Sequence, residues 1–237
     1  MPAPSVASRA RLDLAAEIVD ACRRMNALGI NQGTSGNISL RLDAGLFLMT
    51  PSGMPYDSMR PQDLPVMDMD GRWWGKRRPS VEWRFHRDIL RARPEAAVVL
   101  HTHSVFSTAM ACLRLDIPAF HYMVAVAGGD SIRCADYATF GTLELSDNAL
   151  KALKGRRACL LANHGVIALG QTLEKTLALT VEVETLAAMY CRARQLGEPV
   201  ILEKKEMSRV LERFPSYGKA DFPDADLVHV GENALND

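Results

Sequence analysis

The chain has 237 residues but only five cysteines: Cys22, Cys112, Cys134, Cys159 and Cys191. They stand singly, with no CxxC pair, and an odd, dispersed set of this kind argues against a disulfide framework. A reduced, intracellular protein is expected. No uninterrupted apolar run is long enough to span a bilayer. The opening MPAPSVASRARLDLAAE has no apolar segment ahead of its charges, so no secretory signal is expected and the cytoplasm is the expected compartment. An excess of one charge is also missing, with 28 Lys and Arg against 28 Asp and Glu. That balance gives no electrostatic reason to expect nucleic acid or an anionic membrane as a partner. There is no internal repeat, no low-complexity tract and no linker-like stretch. The expectation is one domain over residues 1–237, with residues 1–9, which are small and polar, disordered.

What is present alternates between helical and strand patterns. Leu14, Ile18, Cys22 and Met25 step by about four, which predicts a helix that Gly29 can stop. INQGTSGNISLRL begins as a turn-rich loop and ends as a strand alternating Ile38, Leu40 and Leu42 with Ser39 and Arg41. GLFLM is a short strand, and VMDMDGRWW reads as two strands around an Asp-Gly turn. Pro79-Ser80 opens a helix to about Arg93, with Ser80 as its cap. AAVVLHTHS is a strand, SVFSTAMACL a short helix, and IPAFHYMVAVAGGDSIRC mixed strand and loop. LSDNALKALKGRR is helical and ACLLANHGVIALG is an apolar strand with a turn inside it. Two further helices, TLEKTLALTVEVETLAAMYCRARQLG and KKEMSRVLERF, complete the pattern. The fold class that follows is mixed α/β.

Six histidines serve the whole chain, and two of them stand one residue apart in VVLHTHS. On a strand His101 and His103 point the same way and Thr102 the other. Two imidazoles on one face can share a metal ion, and a catalytic zinc site takes three protein ligands and keeps one position open. The third ligand must come from elsewhere. His164, at the end of the apolar strand in LLANHGVI and just before a glycine, is the best placed, with His86 and His121 as competitors. His86 stands one helical turn after Glu82 and shares its face. His229, in a polar tail, is expected to be solvated. An isolated HxH is a weak signal, and Ser80, Glu82, Tyr122 and the GTSGN turn each admit a purely structural role.

The segments INQGTSGNISLR, TPSGMPYDSM, PSVEWRFH, HTHS, FHYMVAVAGGDSI, YATFGTLELS and NHGVIALG, in this order and spacing, resemble the class II aldolase/adducin family from about Leu14 to about Tyr217. The resemblance implies a three-layer α/β domain in which helices flank a central, largely antiparallel sheet. It implies zinc, with manganese or cobalt as alternatives, held by His101, His103 and His164, and Glu82 both near the metal and acting as acid/base. Tyr122 would protonate the aldehyde oxygen in a neighbouring subunit's site. Gly36, Asn37, Ser52, Gly53 and Ser80 would bind phosphate, and Tyr217 would close over the substrate. The implied assembly is a cyclic homotetramer, and the implied substrate is a small sugar phosphate.

These residue types suit that chemistry. Splitting a β-hydroxy ketone leaves an enediolate, whose charge calls for a Lewis acid, and neutral histidines leave the metal strongly cationic. A carboxylate is needed to move the proton on the carbon beside the carbonyl. Glycine-rich loops offer backbone N–H groups to phosphate, and Ser52 and Ser80 add hydroxyls. The chain departs from the family's SSEWR motif at Val81, where an apolar side chain replaces a serine hydroxyl. The missing bond costs about 1–3 kcal/mol if the phosphate is left short of a donor. The expected reaction is cleavage of an L-fuculose 1-phosphate-like ketose 1-phosphate to dihydroxyacetone phosphate and an aldehyde. Alternatives are a decarboxylase, dehydratase or epimerase of the same family, or a non-catalytic adducin-like interaction module. The glutamate of EWRFH favours the aldolase over the epimerase, and retention of all three histidines disfavours the module.

Overall fold

A computed structural model describes residues 9–216. Its centre is one sheet of eight strands: β1 (Asn37–Arg41), β2 (Leu46–Met49), β3 (Val66–Asp68), β4 (Trp73–Trp74), β5 (Val98–Thr102), β6 (Cys134–Ala135), β7 (Ala158–Leu161) and β8 (Gly165–Gly170). The spatial order is β4-β3-β2-β1-β5-β8-β7-β6. Every neighbouring pair is antiparallel except β6 with β7. The expected α/β fold with a largely antiparallel sheet is therefore what the chain adopts.

Alternation along the strands sorts the core into two layers. Ile38, Leu40, Leu48, Val98 and Leu100 point to one face, where they meet Ile18, Cys22 and Met25 of helix α1 (Arg9–Ala27). Farther along that face, Leu160, Val166 and Ala168 meet helix α3 (Val105–Cys112) and the long helix α5 (Leu173–Leu196). The opposite face carries Phe47, Met49, Val99, Leu161 and Ile167. Phe85, Ile89 and Leu90 of helix α2 (Trp83–Ala92) cover it, together with Leu145 and Ala149 of α4 (Leu143–Ala152). Burial of both faces is why strands such as VVL and CLL read as continuous apolar runs. Helix α6 (Lys204–Arg213) packs Met207 onto the α3/α5 side.

Local signals account for most of the boundaries. Gly29, at φ +69°, ends α1 as expected, with Ile30 N–H donating to the Met25 carbonyl in a Schellman-type closure. Thr142 and Thr172 cap α4 and α5 by accepting from Leu145 N–H and Lys175 N–H. The Asp-Gly turn of VMDMDGRWW joins β3 to β4, with the Asp68 carboxylate accepting from the backbone N–H groups of Asp70 and Arg72.

Three expectations need correction. Arg9, expected to be disordered, already lies in α1. Helix α2 starts at Trp83, not after Ser80, and Glu82 holds its N-cap position without a side-chain cap. Ser80 instead sits in an extended crossing, where its N–H donates to the Thr50 carbonyl and Pro79 bridges Pro51. The segment Tyr122–Ala127, expected as strand and loop, forms 3-10 turns. Its alanines and valines pack into the α3/α5 core and leave no free strand edge to join.

Phe47 is fully buried between the sheet and α2. Phe47→Ala is expected to lower the unfolding free energy by about 3–5 kcal/mol. Urea unfolding would register this as a lower midpoint at unchanged slope.

Candidate active site and metal centre

The sheet brings the histidines together at one end of its two central strands. His101 is the fourth residue of β5 and pairs with Asn37 of β1 on one side and Ile167 of β8 on the other. Its side chain points to the α2 face. His103 lies one residue beyond the strand, where the chain turns into α3. His164 stands in the turn between β7 and β8, directly after Asn163, whose φ is +53°. A short polar side chain tolerates that left-handed backbone, and Asn163 is further held by its N–H to the Ala111 carbonyl and by Arg114 Nε–H to its Oδ1.

The ligand nitrogens of His101, His103 and His164 lie within 4.8 Å of one another. The rings meet edge to face at centroid distances of 4.8 to 4.9 Å. His101 donates Nδ1–H to the Val166 carbonyl at 2.9 Å, which leaves the Nε2 lone pair facing the cluster. Of the two competitors for third ligand, neither joins. His121 accepts from Met123 N–H, and His86 is occupied by other partners.

Glu82 completes the cluster. Its carboxylate is only 6% exposed. Oε2 lies 3.4 Å from His101 Nε2, and Oε1 lies 3.1 Å from His164 Nε2. Asn37 Nδ2–H donates to Oε2 at 2.8 Å, while Oε1 has no aligned hydrogen-bond donor. Burial pushes this carboxyl up, but the neighbouring His101, the contact to His164 and the Asn37 amide outweigh it and hold Glu82 below its ordinary range. Burial also holds His101 down to about 3 and lowers His103, so both are neutral near pH 7 with lone pairs available. Three clustered imidazoles, two of them beside a buried carboxylate with an oxygen that has no donor of its own, are a set that a divalent cation satisfies. The residues fit a metal.

Close packing sets the geometry. A Cβ on Gly165 would lie 2.4 Å from the Thr102 carbonyl oxygen, 3.0 Å from His103 Cδ2 and 3.2 Å from His101 Cε1. A Cβ on Gly36 would lie 2.7 Å from the His101 carbonyl oxygen. Glu184 of α5 caps α3 by accepting from Phe106 N–H, Ser107 N–H and Ser107 Oγ–H, each at 2.8 Å. That carboxylate on the helix N-terminus fixes where the chain leaves His103.

The segments expected to bind phosphate also converge. Thr50 N–H donates to the Ile38 carbonyl, and Ile38 N–H donates to Thr50 Oγ1. Ser52 N–H donates to the Arg78 carbonyl, which ties the loop of Ser52 and Gly53 to the approach of Ser80. Gly53 has φ +64° and is exposed, while Ser80 is buried and its Oγ accepts from Glu82 N–H. Val81 is 47% exposed. Tyr122 is 40% exposed and stacks on His121. Tyr217 and His229 lie outside the described residues.

Two features escaped the sequence reading. Asn37 holds the carboxylate with its side chain, and Ser39 with His86 stands behind it. The signal was available in β1, where two small polar residues, Asn37 and Ser39, alternate with Ile38 and Leu40 on positions that a buried strand would otherwise fill with apolar side chains.

Gly165→Ala is expected to weaken zinc binding by roughly 10–100-fold through displacement of the His101 and His103 rings. Calorimetric zinc titration of a variant with unchanged circular dichroism would check this. A pH effect follows from two imidazoles, since burial holds both His86 and His101 down to about 3. The unfolded chain takes up a proton at each near pH 6.5, and the folded chain does not until about pH 3. The unfolded state then holds more protons in that window, so stability is full above it and falls as pH drops. The expected loss in metal-free protein is about 1.4 kcal/mol per pH unit per histidine. It is read by urea unfolding between about pH 6 and 4, with a shallower slope in His86→Leu.

Comparison with known proteins bears on the same residues. The family model for the class II aldolase and adducin N-terminal domain matches residues 16–191. The chain is 55% identical over 208 residues to a 5-methylthioribulose-1-phosphate/5-deoxyribulose-1-phosphate aldolase of Rhodospirillum rubrum, covering 88% of this chain and 94% of that one. It is 47% identical over 209 residues to the L-fuculose phosphate aldolase of Escherichia coli K12, covering 88% and 97%. A solved L-fuculose 1-phosphate aldolase structure superposes with a TM-score of 0.84 at 40% identity, over 90% of this chain and 100% of that one. With the match running through the histidine cluster, Glu82 and the converging loops, the chain belongs to the class II aldolase and adducin family.

Proposed function

We propose that the protein is a metal-dependent aldolase, a carbon-carbon lyase that splits a ketose 1-phosphate into dihydroxyacetone phosphate and an aldehyde. The observation that carries this reading is the cluster of His101, His103 and His164 with the buried Glu82 carboxylate against two of its rings. His101, His103 and His164 would hold the metal, with Glu82 beside them. Zinc suits that donor set, and manganese or cobalt also fit it. When bound, the ion supplies a Lewis acid for the substrate's carbonyl and hydroxyl oxygens.

The chain's own groups do the rest. In cleavage the bond between the carbon beside the carbonyl and the hydroxyl-bearing carbon breaks. In condensation the Glu82 carboxylate removes a proton from the first of these carbons, and in cleavage the same group, once it has taken up a proton from solvent, returns it. Tyr122 of a neighbouring subunit takes the hydroxyl proton as the aldehyde forms, which calls for an oligomer, a homotetramer in this reading. Backbone N–H groups of Gly36, Asn37 and Gly53 and the hydroxyls of Ser52 and Ser80 would hold the phosphate. Tyr217 would close over the substrate. The reading takes the chain as one domain acting in the cytoplasm.

The sugar is a separate question. One relative is named for L-fuculose phosphate and another for 5-deoxyribulose 1-phosphate and its methylthio analogue. Val81 stands where the resemblance implies a serine. That change bears on the phosphate that both esters share, and the 55% identity to the Rhodospirillum protein supports a deoxy-pentulose 1-phosphate beside the fuculose ester.

The test is dihydroxyacetone phosphate release by zinc-loaded protein from L-fuculose 1-phosphate and from 5-deoxyribulose 1-phosphate, read in a coupled NADH assay. Release is expected to vanish with chelator and in His101→Ala, and Glu82→Gln is expected to lower kcat by roughly 10²–10⁴-fold. No release from either ester by protein carrying about one metal ion per chain would overturn the proposal.

A further inference from the structure

Behind Glu82 lies a chain of buried polar groups that the proposed reaction does not use directly. Asn37 Nδ2 lies 2.8 Å from Glu82 Oε2, and Asn37 Oδ1 lies 2.5 Å from His86 Nε2. His86 Nδ1 lies 2.8 Å from Ser39 Oγ. Ser39 and His86 are fully buried, and Asn37 is 4% exposed. Burial shields these bonds from bulk water.

The direction of every bond follows from the anion at one end. A carboxylate only accepts, so the Asn37 amide must present its N–H to Glu82 and its carbonyl oxygen to His86. His86 must then carry its proton on Nε2. A neutral ring so protonated has a lone pair on Nδ1, and Ser39 Oγ–H must donate to it. Reversed, the amide would set its carbonyl against the Glu82 carboxylate, acceptor against acceptor, in a site without solvent. The ring itself is fixed by stacking on Phe85, with centroids 4.6 Å apart and planes 25° apart. Strand β1 supplies Asn37 and Ser39 on one face, and α2 supplies His86 one turn beyond Glu82.

We infer that His86 is a positioning residue: as a neutral imidazole protonated at Nε2 and anchored by Ser39, it locks the Asn37 amide so that an N–H holds the Glu82 carboxylate in place. Burial, which holds the His86 imidazole down to about 3, keeps the ring neutral across the physiological range. The inference rests on the proposed role of Glu82 only for its effect on rate.

The first measurement is the 15N spectrum of the histidine rings in metal-free wild-type protein. His86 is expected to show a protonated Nε2 and an unprotonated Nδ1 at both pH 8 and pH 6. A ring protonated at Nδ1, or at both nitrogens, would overturn the inference. In the zinc-loaded enzyme, His86→Leu is expected to lower kcat by roughly 10–100-fold. KM for the phosphate ester should stay within about twofold, because the lost group acts on the moving proton and not on substrate binding. His86→Gln, which keeps an N–H toward Asn37, should recover most of the rate. Equal rates in wild type and a folded His86→Leu would also overturn the inference. If His86→Leu does not fold, Ser39→Ala, which removes the ring's anchor, takes its place, with a lower kcat expected and an unchanged kcat counting against the inference. An inactive wild-type protein with the Nε2-protonated ring would sink the aldolase reading alone, whereas an active protein with the other tautomer would sink the role of His86 alone.

Discussion

A carboxylate taken out of water must be solvated by the protein, and much of this site can be read as the means by which Glu82 is. The ion costs several kcal/mol to bury unless partners replace its hydration. One oxygen receives the Asn37 amide, and the other looks onto imidazole nitrogens without a hydrogen bond of its own. The unmet demand of that oxygen and the ring nitrogens of the neutral histidines are complementary to one divalent cation. Metal binding and carboxylate placement are in this sense one electrostatic problem with one solution.

The rigid part of that solution is the sheet. Asn37 and His101 are direct cross-strand partners, so backbone register sets their separation and side-chain choice does not. His164 arrives through the β7–β8 turn, and Gly165 lets that turn approach the back of the His101 and His103 rings. On the other face, α3 and α5 hold the chain beyond His103 through the Glu184 cap. Helix α2 brings Glu82 and His86 to the sheet on the strength of its apolar face, Phe85, Ile89 and Leu90. Hydrophobic burial thus supplies the force that delivers the charged groups, and hydrogen bonds fix their last few tenths of an ångström.

The proposed phosphate end rests on loops. Those of Ser52 and Ser80 are tied by backbone hydrogen bonds through Thr50 and Arg78, and Ile38 N–H reaches the Thr50 hydroxyl. The two ends still meet at Ser80, whose Oγ accepts from Glu82 N–H.

Much of this was legible in the sequence. Strand alternation placed His101 and His103 on one side, and the apolar run before NHG placed His164 at a strand end. Periodicity is a local property, and local patterns survive in one dimension. What the sequence alone left open was partnership. His86 stayed a competitor to the better-placed His164 until the fold turned it toward Ser39 and Asn37. Ser80 read as a helix cap because Pro-Ser is a helix-start signal, yet pairing of Pro79 with Pro51 held it extended and moved the start to Trp83. Asn37 read as a loop donor, and only the register of β1 against β5 made it the carboxylate's partner. The sequence by itself determined the element pattern, the buried faces and the kind of chemistry, because these depend on residue type and spacing. The tertiary structure decided which polar group meets which, because a buried hydrogen bond joins residues as far apart as 45 and 49 positions, and no local pattern carries that distance.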